Sequence, residues 1–374
     1  MTPGMLGVTL DDAASVADIP LRDFWGSAGE MIGISSSSRQ DFPLRFKPSG
    51  AKPVELARRI ESASKARPAR AVYKNGAILR FPEGVRTTLD LDSLEAPVIR
   101  ALTEGGPVRL PLIEAKKRVP DDALAQITEV VASFSTPFKP SQRDRSVNLR
   151  TAATKLDGIV LMPGETLSFN ETVGKRTVEN GYREAIVFEE GRQTPGVGGG
   201  ICQVSSTLYN AALLANMEIV QRRNHSIPVP YVSLGRDATV YWGAVDLVLK
   251  NNYPVPLAVS ADYQPGRLTF RILGRRTAGQ TVVIESGPVR AFPPVVRTVA
   301  DPSLAPGARK VRSRGSGGRS VSTWRVVYQD GRLVKREPLG TSRYRGEVQI
   351  VAVGPSKTPT PADPPPVAES ANGL

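Results

Sequence analysis

The stretch GVGGGICQVSSTLYNAALLANMEIVQRRNHS, residues 196–226, contains the chain's one cysteine and one histidine. Gly198, Gly199 and Gly200 end any preceding element, because glycine takes up backbone conformations that other residues avoid. Ile201, Val204, Leu208, Ala211, Ala212 and Ala215 then recur at helical spacing, which predicts a helix over about 201–216 with Cys202 in its first turn. Free peptide N–H groups and the helix dipole favour a thiolate at that end. Ser205, Ser206 and Tyr209 share the face of Cys202, a more polar side than the apolar stripe, so the thiol is expected to look into a cleft.

After the helix, EIVQRR (218–223) reads as a strand that delivers Asn224, His225 and Ser226 to its end, where the imidazole can approach the helix start. A cysteine on a helix followed by a histidine from a strand is the order used by papain-like, transglutaminase-like and NlpC-type enzymes, in which the histidine activates the thiolate. The group that orients the imidazole is Asp237, at the start of an expected strand DATVYW, or Asp246 in VDLVLKN, and strand alternation leaves both open. Backbone N–H groups of Gly200, Ile201 and Cys202 are candidates for an oxyanion site. Against this stands the plain alternative, since free cysteine is among the most buried residue types and a lone histidine is more often structural.

Composition limits the wider possibilities. The chain has 374 residues, 40% hydrophobic and 23% charged, enough for two or three domains with cores of their own. With 49 basic and 36 acidic residues the net charge is +13, which favours polyanions such as nucleic acid, anionic glycans or acidic membranes. One cysteine rules out an intramolecular disulfide framework, and a zinc site would need two carboxylates beside the single cysteine and histidine, so neither a metal nor an organic cofactor is expected. No apolar run reaches the roughly 18–20 residues of a membrane helix, and the opening MTPGMLGVTLDDAASVADIP carries no recognisable export signal. GVGGG lacks the Lys-Ser/Thr of a phosphate loop, so nucleotide binding is not expected. Basic residues crowd the later part of the chain, for example Arg309, Lys310, Arg312, Arg314 and Arg319, without a recognition helix or an RNA-binding aromatic signature. An anionic wall polymer or a merely solvated surface fits these charges at least as well as nucleic acid.

The chain reads as α+β and multidomain. Residues 1–50 have no assignable role, with KPSGAKP (47–53) as a linker. Residues 51–140 form a small α+β unit: helical VELARRIESASKA, a hairpin turning at Asn75-Gly76, helical LDSLEAPVIRALTEG, strand-like VRLPLIEA and helical DDALAQITEVVASF. Residues 141–275 form an α+β core with one main helix packed on strands. Residues 281–354 are strands alone, with a hairpin at Asp330-Gly331, and 355–374 is a Pro-rich tail expected to be disordered.

Three pieces carry a family resemblance: RSVNLRTAATKLDGIVLMPGETLSFNETVG, then GYREAIVFEEGRQTPGVGGGICQVSSTLYNAALLANMEIVQRRNHS, then DATVYWGAVDLVLKNN. The block from about Ser141 to Gly274 resembles a VanW domain. The segment Pro53–Phe138 resembles the peptidoglycan-binding type of domain that commonly precedes VanW. The β module is similar to the five-glycine domain, proposed to bind N-acetylglucosamine, although RSRGSGGRS departs from the usual spacing. The resemblance implies an extracytoplasmic bacterial envelope protein, an accessory associated in name with vancomycin resistance, that engages peptidoglycan or another anionic wall polymer. The family's recurring polar positions fall here on Arg222, His225, Asp237, Asp246 and Asn251, with Cys202 and Gln203 at the helix start and Gly198, Gly199 and Gly200 before it. Such a set fits a Cys–His amidase, peptidase or transpeptidase acting on peptide stems, or a non-catalytic wall-binding scaffold.

Overall fold

A computed structural model describes residues 51–356, apart from 65, 95, 98–99, 101–108 and 190–191. The expected segment 1–50, most of the helix expected over 91–105 and nearly all of the Pro-rich tail lie outside the described residues. What is described is α+β, with many strands and few helices, as the sequence predicts.

The helix expected after the glycine run is present as Ile201–Leu214. Gly200 precedes it with φ +107°, a left-handed conformation that requires glycine there. Past the last turn Asn216 takes φ +56°, Asn216 N–H donates to Leu213 O and Met217 N–H to Ala212 O, so the final carbonyls are satisfied. The helix is buried on every side, not along one stripe. The polar face expected beside Cys202 is consequently interior, and its groups are bonded to protein. Thr207 Oγ1 pairs with Thr136 Oγ1 at 2.8 Å, and Asn210 Nδ2 donates to Arg236 O at 2.7 Å.

This central helix lies on a six-stranded, wholly antiparallel sheet in the order Ala77–Phe81, Arg70–Lys74, Ile159–Leu161, Leu257–Gln264, Arg267–Gly274, Glu129–Pro137. It packs on the last two of these strands and against a second helix, Arg143–Leu156. Leu149, Leu156, Leu208, Phe169, Phe270 and Ile272 meet in the core between them.

Three expectations need correction. The helix expected over 121–134 stops at Ala125, and Glu129–Pro137 is a strand whose whole length pairs with Arg267–Gly274. Its residues Val130, Val131 and Phe134 suit a pleated surface, and the long-range ladder outweighs local helical spacing. Residues 238–241 form no strand beyond an isolated bridge from Tyr241 to Val245. The sheet also runs across the boundary expected near 140: strands from 70–81 and 129–137 join strands from 159–274, and Ala71, Val119, Ile127, Val160, Ala258 and Leu273 share one core cluster.

The C-terminal module is made of strands, as expected. Gly318–Gln329 and Arg332–Tyr344 form a long hairpin through Asp330-Gly331, both at positive φ, flanked by Gln280–Ser286 and Arg290–Phe292. A second sheet joins Val296–Ala300, Gln349–Val353 and Arg309–Ser313. The module is anchored to the core by Arg325, almost fully buried, which donates to Met217 O at 2.5 Å and pairs with Glu337 at 2.7 Å.

The glycine run is shaped by close packing. A Cβ at Gly199 would lie 2.5 Å from Ile186 O and 2.7 Å from Ala185 C, in the hairpin Glu184–Glu189/Arg192–Val197 that covers it. Backbone cannot yield there as a flexible side chain would. Gly199→Ala should lose about 1–3 kcal/mol by urea denaturation, the usual range for overpacking; an unchanged midpoint would refute this packing account.

Candidate functional site

Four stretches converge at the start of the central helix: the glycine run, the loop after the strand Glu218–Gln221, the irregular segment 235–242 and the end of the C-terminal hairpin. Cys202 is part-buried and its Sγ donates to Val240 O at 3.5 Å. Ser206 fixes this arrangement, donating to Cys202 O at 2.7 Å and accepting from Ala238 N–H at 2.9 Å. The helix start is thus tied to the residue next to Asp237.

His225 is 5% exposed and Asp237 1%. Asp237 Oδ2 accepts from His225 N–H at 2.6 Å and sits 2.6 Å from Nδ1, so with the carboxylate ionised Nδ1 carries the hydrogen. Nε2 is left buried without a hydrogen bond of standard geometry, and the Cys202 thiol is its neighbour. Asp237 Oδ1 accepts from Tyr344 O–H at 2.5 Å and from Arg222 Nη2 at 3.3 Å.

Burial and pairing compete at each group. Burial alone would raise the Cys202 thiol; the hydrogen bond and charge of His225, with the more distant Arg176, outweigh it and bring the thiol below its ordinary range. Burial would lower His225, yet Asp237 and Cys202 together lift it from 6.5 to about 9. Asp237 is likewise pushed up by burial and pulled down further by His225 and Tyr344, ending below its usual value. The sign for each group favours a thiolate beside an imidazolium, over a pH window that opens above the lowered thiol value and closes near 9.

Of the two carboxylates left open by the sequence, Asp237 touches His225 and Asp246 does not. Asp246 instead accepts from Ser168 Oγ, Asn170 N–H and its neighbour Leu247 N–H, fastening the short helix Phe169–Val173. Several expected binding residues are structural. Gln203 is 1% exposed: its Nε2 donates to Thr136 Oγ1 and Pro137 O while its Oε1 accepts from Arg145. Asn251 closes a buried turn through Leu161 O, Val255 O and Tyr253 N–H. Arg222 braces Asp237, donates to Ser342 Oγ at 2.9 Å and lies over the Tyr209 ring. Buried polar groups already bonded inside the protein hold a site's shape and are poorly placed to meet a ligand.

Sequence reading missed Tyr344, Arg176 and Tyr231. Tyr344 lies 107 positions from the carboxylate that it contacts, so no local spacing could have indicated it. Tyr231 lies against Ser206 and within electrostatic reach of Cys202, and desolvation raises its phenol well above the ordinary range. The loop carrying His225 is stitched to the C-terminal hairpin as well, by Asn224 Nδ2 to Arg343 O at 2.8 Å and Arg345 N–H to Ser226 O at 2.5 Å. Among the described residues no three His, Cys, Asp or Glu side chains gather so as to hold a metal ion.

Three outcomes are expected. Asp237→Asn leaves Arg222 without its buried counter-charge and should cost about 3–5 kcal/mol in chemical denaturation. Tyr344→Phe, which removes one hydrogen bond to a charged acceptor, should cost about 1.5–3 kcal/mol. The single imidazole makes an NMR titration unambiguous: its midpoint should fall near 9 in the wild type and drop markedly in Asp237→Asn, where only Cys202 is left to oppose burial. A wild-type midpoint near 6.5 would contradict the pairing.

Comparison with known proteins fits this architecture. Residues 144–273 match the VanW-like protein family and residues 279–356 match the G5 domain. The chain is similar to Uncharacterized protein YoaR of Bacillus subtilis, 42% identical over 166 residues that cover 44% of this chain and 55% of that protein. It is also similar to Vancomycin B-type resistance protein VanW of Enterococcus faecalis, 34% identical over 116 residues, 30% of this chain and 42% of that one. The chain thus spans about half the length of the curated relatives it matches. The solved G5 domain of IgA1 protease is 23% identical, covers 21% of this chain and 94% of its own, and has a TM-score of 0.17. The core that carries Cys202, His225 and Asp237 is a VanW domain, and the β module that contributes Tyr344 is a G5 domain.

Proposed function

We propose that this is a cell-envelope protein that binds peptidoglycan and acts on amide bonds of its peptide stems through Cys202, His225 and Asp237. The observation that carries the reading is the interaction of the chain's single thiol with its single imidazole, with a buried carboxylate behind the imidazole at 2.6 Å. In the reaction the Cys202 thiolate attacks the amide carbonyl carbon, the C–N bond breaks, and His225 delivers its proton to the departing amine. The resulting thioester passes its acyl group to water or to a second amine, with His225 taking the incoming proton. Asp237 holds the imidazole by Nδ1 and stabilises its charged form. The G5 domain and the cationic excess of the chain support engagement of wall glycan and of anionic wall polymer, outside the membrane. No helix among the described residues is long and apolar enough to cross a membrane.

A scaffold reading has one observation in its favour, the bond from Cys202 Sγ to Val240 O, which a packed, neutral thiol would make. Alkylation by iodoacetamide across pH separates the two, because one cysteine per chain gives one signal. For the enzyme, the apparent thiol pKa lies well below the free value of about 8.5 and moves upward in His225→Ala. Purified sacculi treated with wild type then change in muropeptide pattern, while Cys202→Ala binds them without changing it. A thiol that reacts only in denaturant, together with binding indifferent to Cys202→Ala, would establish the scaffold instead.

A further inference from the structure

Arg176 has no assigned role, yet it occupies the flank of the glycine run. Its Cβ and Cγ lie against Gly198, where an added Cβ would come within 2.9 Å of Arg176 Cβ, so the arginine stem and the loop before Cys202 are packed as one piece. Nη2 donates to Asn170 Oδ1 at 2.6 Å, and the guanidinium stands 5.7 Å from the buried Phe169 ring and 5.9 Å from Trp242. Nη1 is buried and has no hydrogen-bond partner. No carboxylate of the described residues forms an ion pair with it; Asp246, the nearest in electrostatic effect, is committed to Ser168, Asn170 and Leu247. Cys202 is within its electrostatic reach, and the segment that passes the thiol at Val240 passes the guanidinium at Trp242. Tyr241 and Trp242 there are 63% and 39% exposed.

A buried guanidinium N–H without an acceptor is costly, and guanidinium geometry matches a carboxylate better than any neutral group. We infer that Arg176 is the carboxylate-binding residue of a subsite beside Cys202, with Trp242 at its rim, so that the substrate carries a free carboxylate close to the acyl group under attack. Asn170 and the two rings fix the plane of the guanidinium, and Nη1 is the donor left for the ligand. This inference rests on the thiol chemistry proposed above and narrows it to acyl substrates that end in, or sit next to, a free acid.

Iodoacetate and iodoacetamide test it, since they alkylate the same thiol and differ only in a carboxylate next to the reacting carbon. The rate ratio of acid to amide, normalised to that of N-acetylcysteine, should exceed one and fall by about tenfold or more in Arg176→Gln, the equivalent of losing one charge-assisted hydrogen bond. Arg176→Lys should fall between the two, and the melting curve checks that each variant is folded. On the unaltered protein, N-acetyl-D-alanine should slow iodoacetamide while N-acetyl-D-alaninamide should not, which needs no variant. A ratio unchanged in folded Arg176→Gln, or equal protection by acid and amide, overturns the subsite. If iodoacetamide reacts with the expected dependence on His225 and the acid preference is missing, this inference fails alone; a folded-state thiol inert to both reagents ends this inference and the thiol chemistry together.

Discussion

Placing an ionised carboxylate in the interior costs several kcal/mol unless its oxygens are met by donors. Asp237, 1% exposed, meets that condition with groups from one nearby loop and one distant hairpin: His225 through its backbone and ring, Arg222 through its guanidinium, and Tyr344 through its hydroxyl. Much of the candidate site follows from satisfying this one charge. The loop at 222–225 must fold back to present both His225 donors, and the G5 hairpin must dock so that Tyr344 reaches in. Arg222 also donates to the main-chain O of Asp237 at 2.7 Å, so the same side chain that balances the charge fixes the backbone bearing it.

The central helix answers a related constraint. Gln203, Ser205, Ser206, Thr207 and Asn210 are buried on it and each is bonded. A satisfied polar network specifies one rotation and one translation of a helix, where an apolar surface would tolerate several. Here the specification falls on Cys202: Ser205 and Ser206 both reach Ala238 O, at 2.7 and 3.3 Å, which sets the helix start against the residue following Asp237. Backbone bonds around Cys202 and Ala238 thus add to the side-chain contacts that hold thiol, imidazole and carboxylate together.

The helix, its glycine entry and the main hairpins were legible because each depends on local chemistry: φ at Gly200, apolar spacing from Ile201 to Ala215, and the Asn75-Gly76 and Asp330-Gly331 turns. Cys202 and His225 could be nominated since each is the chain's single example of its type. Choosing Asp237 over Asp246 could not be done from pattern, because the deciding contacts come from side chains turned toward one another across irregular backbone. The strand Glu129–Pro137 overrides the helical spacing of its sequence for the same physical reason, its partner Arg267–Gly274 lying far along the chain. Pattern alone does not separate a ligand-facing polar residue from a buried strut, and Gln203 and Asn251 are struts. Tyr344 required knowledge of how the G5 domain docks.

Charge counting around the thiol carries the last step. In the thiolate and imidazolium state the groups near the helix start are His225, Arg222, Arg176 and Arg145 on the positive side, against Asp237, Asp246 and Cys202 on the negative. The balance is one positive charge, and it is placed unevenly: Arg222 faces Asp237 and His225 lies between Asp237 and Cys202, while Arg145 is bonded to the neutral Gln203. Positive potential therefore remains along the glycine run, supplied by side chains that pack over Gly198 and Gly200. Field from fixed, partly buried cations is screened little by salt and acts at short range. Such a field lowers the thiol in the resting protein, and it would oppose neutralisation of the same thiolate less if an anion entered with the substrate. The packing that demands glycine at 198 is thus the packing that brings the charge of Arg176 to the sulfur.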